Sequence, residues 1–181
     1  MQAAAIPALD GRDVTQFCAD KTGKQRRICC QRCSTCSISR VKSGPPRILI
    51  LTPTRELAIQ VADHARELAK HTHLDIATIT GGVAYMNHAE VFSRDIVVAT
   101  TGRLLQYIKR GFDCRAVETL ILETDRMLDM GFAGISNILP GRNAAGKQTL
   151  LFSATLEGDA IQDFAERLLE DPVEVSANPS P

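Results

Sequence analysis

The chain has 181 residues, 44% of them hydrophobic, enough to bury the core of one ordinary soluble domain. Its 21 basic residues balance 21 acidic ones, so bulk charge neither demands nor excludes a nucleic-acid partner. No apolar run approaches membrane-spanning length and the N-terminus lacks a signal peptide's basic and apolar sections, so no membrane partner and a cytoplasmic location are expected.

The chain opens in an alanine-rich stretch, Ala3 to Ala5, and ends in Asn178, Pro179, Ser180 and Pro181, a linker composition. One domain over 1–175 followed by the start of a linker over 176–181 is the expected organisation. Arg26 to Arg40 places Cys30, Cys33 and Cys36 at three-residue intervals, with Cys29 and Cys18 nearby. That spacing admits a zinc or iron–sulfur site, or simply a set of small reduced cysteines.

From residue 48 onward, short β-type runs alternate with helical patterns. Ile48 to Leu51, Ile76 to Thr80, Ile96 to Ala99, Thr119 to Leu122 and Thr149 to Phe152 have the length and apolarity of buried parallel strands. Leu57, Val61, Ala65 and Leu68 fall on one helical face, with Asp63, Arg66, Glu67 and Lys70 opposite. Ile161, Phe164, Ala165, Leu168 and Leu169 form a second stripe. This alternation predicts a three-layer α/β/α fold on a mostly parallel sheet, with ligands at the C-terminal ends of the strands.

The residues after those strands have matching chemistry. After the first come Pro53, Thr54, Arg55, Glu56 and Leu57, where Thr54 can cap a helix and Arg55 sits in its first turn. Amides, a hydroxyl and a guanidinium there suit a phosphodiester backbone, although a plain N-cap explains Thr54 equally. Gly81 and Gly82 follow the second strand, and allow close backbone approach or an ordinary turn. Thr100, Thr101, Gly102 and Arg103 follow the third, and Ser153, Ala154 and Thr155 follow the fifth. After the fourth come Glu123, Thr124 and Asp125, hard oxygen donors suited to a magnesium–phosphate site or to a solvated turn.

This ordered set resembles the first RecA-like domain of a DEAD-box RNA helicase, over about three quarters of the chain. The resemblance implies ATP and Mg2+ as cofactors, structured RNA as substrate, ribosome-assembly work and its factors as partners, and a second RecA-like domain beyond this chain. It matches Gln2 to adenine reading, and Thr22, Gly23 and Lys24 to the end of a phosphate-binding loop. Glu123 matches the carboxylate that orients the attacking water. Asp125 matches the second aspartate of the acidic motif, which reaches magnesium through water. Pro53, Thr54, Arg55, Glu56, Gly81, Gly82, Thr101, Gly102 and Arg103 match the RNA-gripping positions, and Ser153, Ala154 and Thr155 the motif coupling hydrolysis to strand separation.

Two departures touch the chemistry. In the loop segment Lys21 stands where the family has glycine, and Gln25 replaces the magnesium-binding hydroxyl. In the acidic motif Leu122 passes straight to Glu123, so the leading magnesium aspartate has no counterpart. The isolated chain is therefore expected to be inactive in ATP turnover and unwinding. Segment 15–40 also holds cysteines where the family has a leucine-rich helix. A leucine codon CTG followed by C, read one base late, gives TGC for cysteine, so compensated frame errors are the expected origin of this segment and of Gly134 to Gly141. A chain made as written is expected to be marginally stable in its N-terminal third, because several large core side chains are replaced by small or charged ones.

Overall fold

The computed structural model describes residues 12–17, 45–82, 90–91, 93–124, 147–153 and 159–176. Seven strands occupy these segments: β1 (Val14–Phe17), β2 (Ile48–Thr52), β3 (Ile76–Ile79), β4 (Ile96–Thr100), β5 (Thr119–Glu123), β6 (Gln148–Ser153) and β7 (Val173–Ser176). Among the described residues, the helices α1 (Arg55–Ala69), α2 (Thr101–Ile108) and α3 (Asp159–Leu168) connect β2 to β3, β4 to β5 and β6 to β7.

The strands form one sheet in the order β3-β4-β2-β5-β6-β1-β7, and every neighbouring pair is parallel. Parallel strands need crossovers that cover both faces, so their residues are buried on both sides. All the residues of β2, β5 and β6 are accordingly buried. Successive side chains alternate between two cores. Leu49, Leu51, Val97, Leu120, Leu122 and Leu151 meet Leu104 and Tyr107 of α2 and Phe164 and Leu168 of α3. Ile48, Ile50, Ile96, Val98, Ile121 and Leu150 meet Ala58, Val61, Ala62 and Ala65 of α1. The fold is the expected three-layer α/β/α domain.

Three details differ from the pattern read in the sequence. Most of the five expected strands run one residue further, so Thr52, Thr100, Glu123 and Ser153 end strands rather than begin loops. Strands β1 and β7 were not expected; both are four residues long and mix polar with apolar side chains, too short to leave a clear period. Thr15 to Phe17, the start of the anomalous segment 15–40, pair in register with Leu151 to Ser153. The rest of that segment, its cysteines 18–36, and Gly134 to Gly141 lie outside the described residues, as does the side chain of Ile161.

The stripe on α1 is also rotated from the expected one. Ala58, Val61, Ala62, Ala65 and Ala69 are buried, whereas Leu68 is 37% exposed. Alanines let the helix lie close to the sheet, and that close approach turns Leu68 toward the edge of the contact. Asp63, Arg66, Glu67 and Lys70 are exposed, as expected.

Candidate nucleic-acid and nucleotide site

Because all strands point the same way, all their exits lie along one edge of the sheet. The strand order divides this edge into two halves. Strands β3, β4 and β2 send out the glycine pair and the two Thr/Arg segments, and β5, β6 and β1 send out the acidic run, the Ser153 segment and the segment leading to Lys24.

On the first half, Pro53, Thr54, Arg55, Gly81, Gly82, Thr100, Thr101, Gly102, Arg103 and Gln106 line a groove of about 650 Å³. Residues far apart in sequence meet here because β2 pairs with β4, and β4 with β3, in register. The exit from β2 is fixed locally. Thr52 is fully buried and its hydroxyl donates to the Thr54 carbonyl at 3.2 Å. Thr54 is extended (φ −125°, ψ 157°), and its Oγ1 accepts from Leu57 N at 3.3 Å, so it caps α1. Glu56 sits in the first turn, where a carboxylate complements the helix dipole, and does not line the groove.

Gly82 is fitted to Arg55. Its φ of +72° is left-handed, and a Cβ there would stand 2.8 Å from Arg55 Nη1. Glycine takes the left-handed backbone without strain and leaves the Cβ position to the tip of Arg55, which a side chain there would push aside. Gly81 has neither constraint, since nothing lies within 4 Å of its Cβ position.

Helix α2 opens into the same groove. Its N-cap, Thr100, makes no side-chain capping bond, unlike Thr54 on α1. Thr101 is buried, Gly102 is exposed, and Arg103 donates from Nη1 to Gln106 Oε1 at 3.0 Å. None of the groove-lining residues is acidic, and two are arginines. A concave surface with two guanidiniums, hydroxyls and a helix N-terminus complements the negative charge and acceptor oxygens of a polyanion. Gln106 carried no signal in the sequence, because a lone glutamine on a helix is ordinary.

On the second half, Glu123 ends β5 opposite Phe152 of β6 and is only 9% exposed. Thr124 is buried and ties this exit to β6, its backbone N–H donating to Phe152 O at 3.0 Å and its hydroxyl to the same oxygen at 3.3 Å. Ser153 is fully buried at the end of β6, level with Phe17 of β1. The chain thus leaves β1 toward Gly23 and Lys24 from a point beside Ser153 and one strand from β5. The donors described on this half are one carboxylate and two hydroxyls, all hard oxygen. That set fits the orientation of a water near magnesium better than direct ligation of the metal, which needs a second carboxylate or phosphate oxygens. Gln2, Thr22, Gly23, Lys24, Asp125, Ala154 and Thr155 lie outside the described residues.

Comparison with known proteins agrees with this arrangement. A profile of the DEAD/DEAH box helicase family matches residues 1–164. The chain is 74% identical over 186 aligned positions to the ATP-dependent RNA helicase SrmB of Escherichia coli, and 56% identical to that of Haemophilus influenzae. Each match covers 99% of the chain but only 42% of the relative. The alignment with the Escherichia coli protein is longer than the chain itself, so the chain omits residues that this relative has. Among solved structures, a DEAD box protein from Methanococcus jannaschii superposes with a TM-score of 0.83 at 33% identity, over 98% of this chain and 49% of that one. A hypothetical ATP-dependent RNA helicase from Sulfolobus tokodaii gives 0.82 at 31%, over 97% and 51%. Seven parallel strands in this order, a basic groove at one half of their exits and an acidic run at the other make this chain a member of the DEAD/DEAH box helicase family.

Proposed function

We propose that this chain is the N-terminal ATP- and RNA-binding lobe of an ATP-dependent RNA helicase that remodels structured RNA in ribosome assembly, in the cytoplasm. Residues 1–175 form that lobe, 176–181 begin the linker, and a second RecA-like lobe completes the enzyme. The observation that carries this reading is the groove in which Arg55, Gly82 and Arg103 converge from three strand exits. Its paired guanidiniums and hydroxyls suit one strand of RNA followed along its phosphates, with Thr54, Arg55, Thr101, Gly102 and Arg103 as the gripping residues.

On the other half, Gln2 reads adenine, Thr22, Gly23 and Lys24 hold phosphate, and Glu123 orients a water for in-line attack. Magnesium, when bound, offsets charge on the terminal phosphates. Asp125 would hold it through water, and Ser153, Ala154 and Thr155 would relay the nucleotide state to the RNA half.

A second reading has its own support. Leu122 runs directly into Glu123, with no aspartate between, and Gln25 stands in place of a hydroxyl. A catalytically silent RNA-binding module would keep the groove and lose the metal. Fluorescence anisotropy with a single-stranded RNA, alongside Mg–ATP titration, separates the two. Arg55→Ala is expected to lower RNA affinity by about ten- to a hundredfold, the scale of one charge-assisted hydrogen bond in the range of about 1.5 to 3 kcal/mol. ATP affinity abolished by Lys24→Ala supports the ATPase lobe, whereas ATP-independent RNA binding with no measurable ATP affinity supports the silent module. RNA affinity unaffected by Arg55→Ala refutes both.

A further inference from the structure

Gln106 lines the groove yet belongs to none of the motifs at the strand exits. It stands three residues after Arg103 on α2, so both side chains lie on one helical face. Its Oε1 accepts from Arg103 Nη1 at 3.0 Å, and it is exposed at the groove surface. We propose that Gln106 is a positioning residue for RNA: it holds the Arg103 guanidinium over the groove so that a phosphodiester meets it in one orientation. This rests on the reading of the groove as an RNA site.

An arginine that binds phosphate gives up rotamer freedom, and a bond made beforehand removes part of that loss from the binding step. A guanidinium has five N–H donors, so one directed to Gln106 fixes its plane without exhausting its capacity. The neutrality of Gln106 belongs to the role. A carboxylate at this position would accept the same bond more strongly, but would set a negative charge in a groove whose lining otherwise has none. The phosphodiester would then meet a neutralised arginine and a like charge.

The test measures RNA affinity of the full chain by anisotropy with a single-stranded oligonucleotide, over a range of salt, for Gln106→Leu, Gln106→Glu, Arg103→Ala and the Gln106→Leu/Arg103→Ala double variant. Gln106→Leu is expected to weaken binding roughly two- to tenfold, the effect of one ordinary net hydrogen bond. In the Arg103→Ala background the same change is expected to do nothing, because Gln106 acts through Arg103. Gln106→Glu, which keeps the acceptor and the shape, is expected to weaken binding at low salt and recover toward wild type as salt screens the added charge. A general loss of folding would instead add to Arg103→Ala and shift the thermal transition, which an exposed side chain is not expected to do. Wild-type affinity in Gln106→Leu, or an undiminished further loss in the double variant, overturns the positioning role. If Arg55→Ala and Arg103→Ala both bind as wild type, the groove reading itself fails, and this role with it.

Discussion

Gly81 and Gly82 show at the scale of single residues what the sequence could and could not reveal. Two adjacent glycines after a strand read equally as a turn or as a close approach, and only the backbone distinguishes them. Gly82 has φ +72° and lies under Arg55, while Gly81 has open space around its Cβ position. A side chain in the left-handed region costs about 1 to 2 kcal/mol, and at Gly82 it also collides with a guanidinium. Gly82→Ala is therefore expected to lower the unfolding free energy from urea titration by that amount and to weaken RNA binding by displacing Arg55. Gly81→Ala is expected to leave both within error. Equal effects of the two substitutions, measured side by side, would remove the account of Gly82 as the seat of Arg55. Thr54 was legible as a helix cap for a different reason, since its capping geometry follows from local sequence alone.

Among the elements, long apolar runs were legible and short mixed ones were not. Strands β2, β4 and β5 announce themselves because both faces are apolar, but the same property hides their register. Leu120 and Leu122 enter one core and Ile121 the other, so a one-residue slip at the shortened acidic motif would exchange two apolar faces and leave no polar misfit in the pattern. Strand β1 was missed because its place in the sheet depends on a contact distant in sequence. Asp13, just before β1, is buried, and its carboxylate accepts from Thr149 N at 2.6 Å and Glu170 N at 2.7 Å. Its backbone carbonyl accepts from Val173 N at 2.9 Å, so this residue joins β1 to β6, to the turn after α3 and to β7. Asp13→Ala leaves two backbone donors without that acceptor, at an expected cost of about 2 to 4 kcal/mol in urea unfolding. Burial, outweighing those two hydrogen bonds, raises the Asp13 pKa, with Glu170 adding to the rise. A raised carboxyl pKa means that its contribution is fully present below the ordinary value of about 3.9 and declines as pH rises through the folded value. The stability difference between wild type and Asp13→Ala is accordingly expected to shrink from acid toward neutral pH. A difference that grows over that interval would reverse the assignment.

For the whole molecule, the strand order does more than any single motif. It places β2 between β4 and β5, so the basic half and the acidic half of the edge meet at the boundary between two paired strands, β2 and β5. The alternation of patterns predicted parallel strands whose exits share one edge, but not that the exits would sort by chemistry, because sheet order is absent from linear periodicity. This arrangement gives a definite expectation for coupling. Coupling between two ligands is a free energy, and it arises only where binding one changes the state to which the other binds. Within this lobe the two halves share one sheet, joined by the parallel pairing of β2 with β5, and a single packed sheet offers no second state. Closure onto a second lobe would supply that state. RNA affinity of this chain is therefore expected to be the same with and without saturating Mg–ATP, a ratio of about 1, which corresponds to no coupling free energy. ATP hydrolysis measured by phosphate release is expected to stay at background and not to rise on adding RNA, because Glu123 alone cannot enclose the transferred phosphate. RNA-stimulated hydrolysis by these 181 residues would show that one lobe suffices, and would give the shortened acidic motif, with Glu123 directly after Leu122, a catalytic competence that its chemistry argues against.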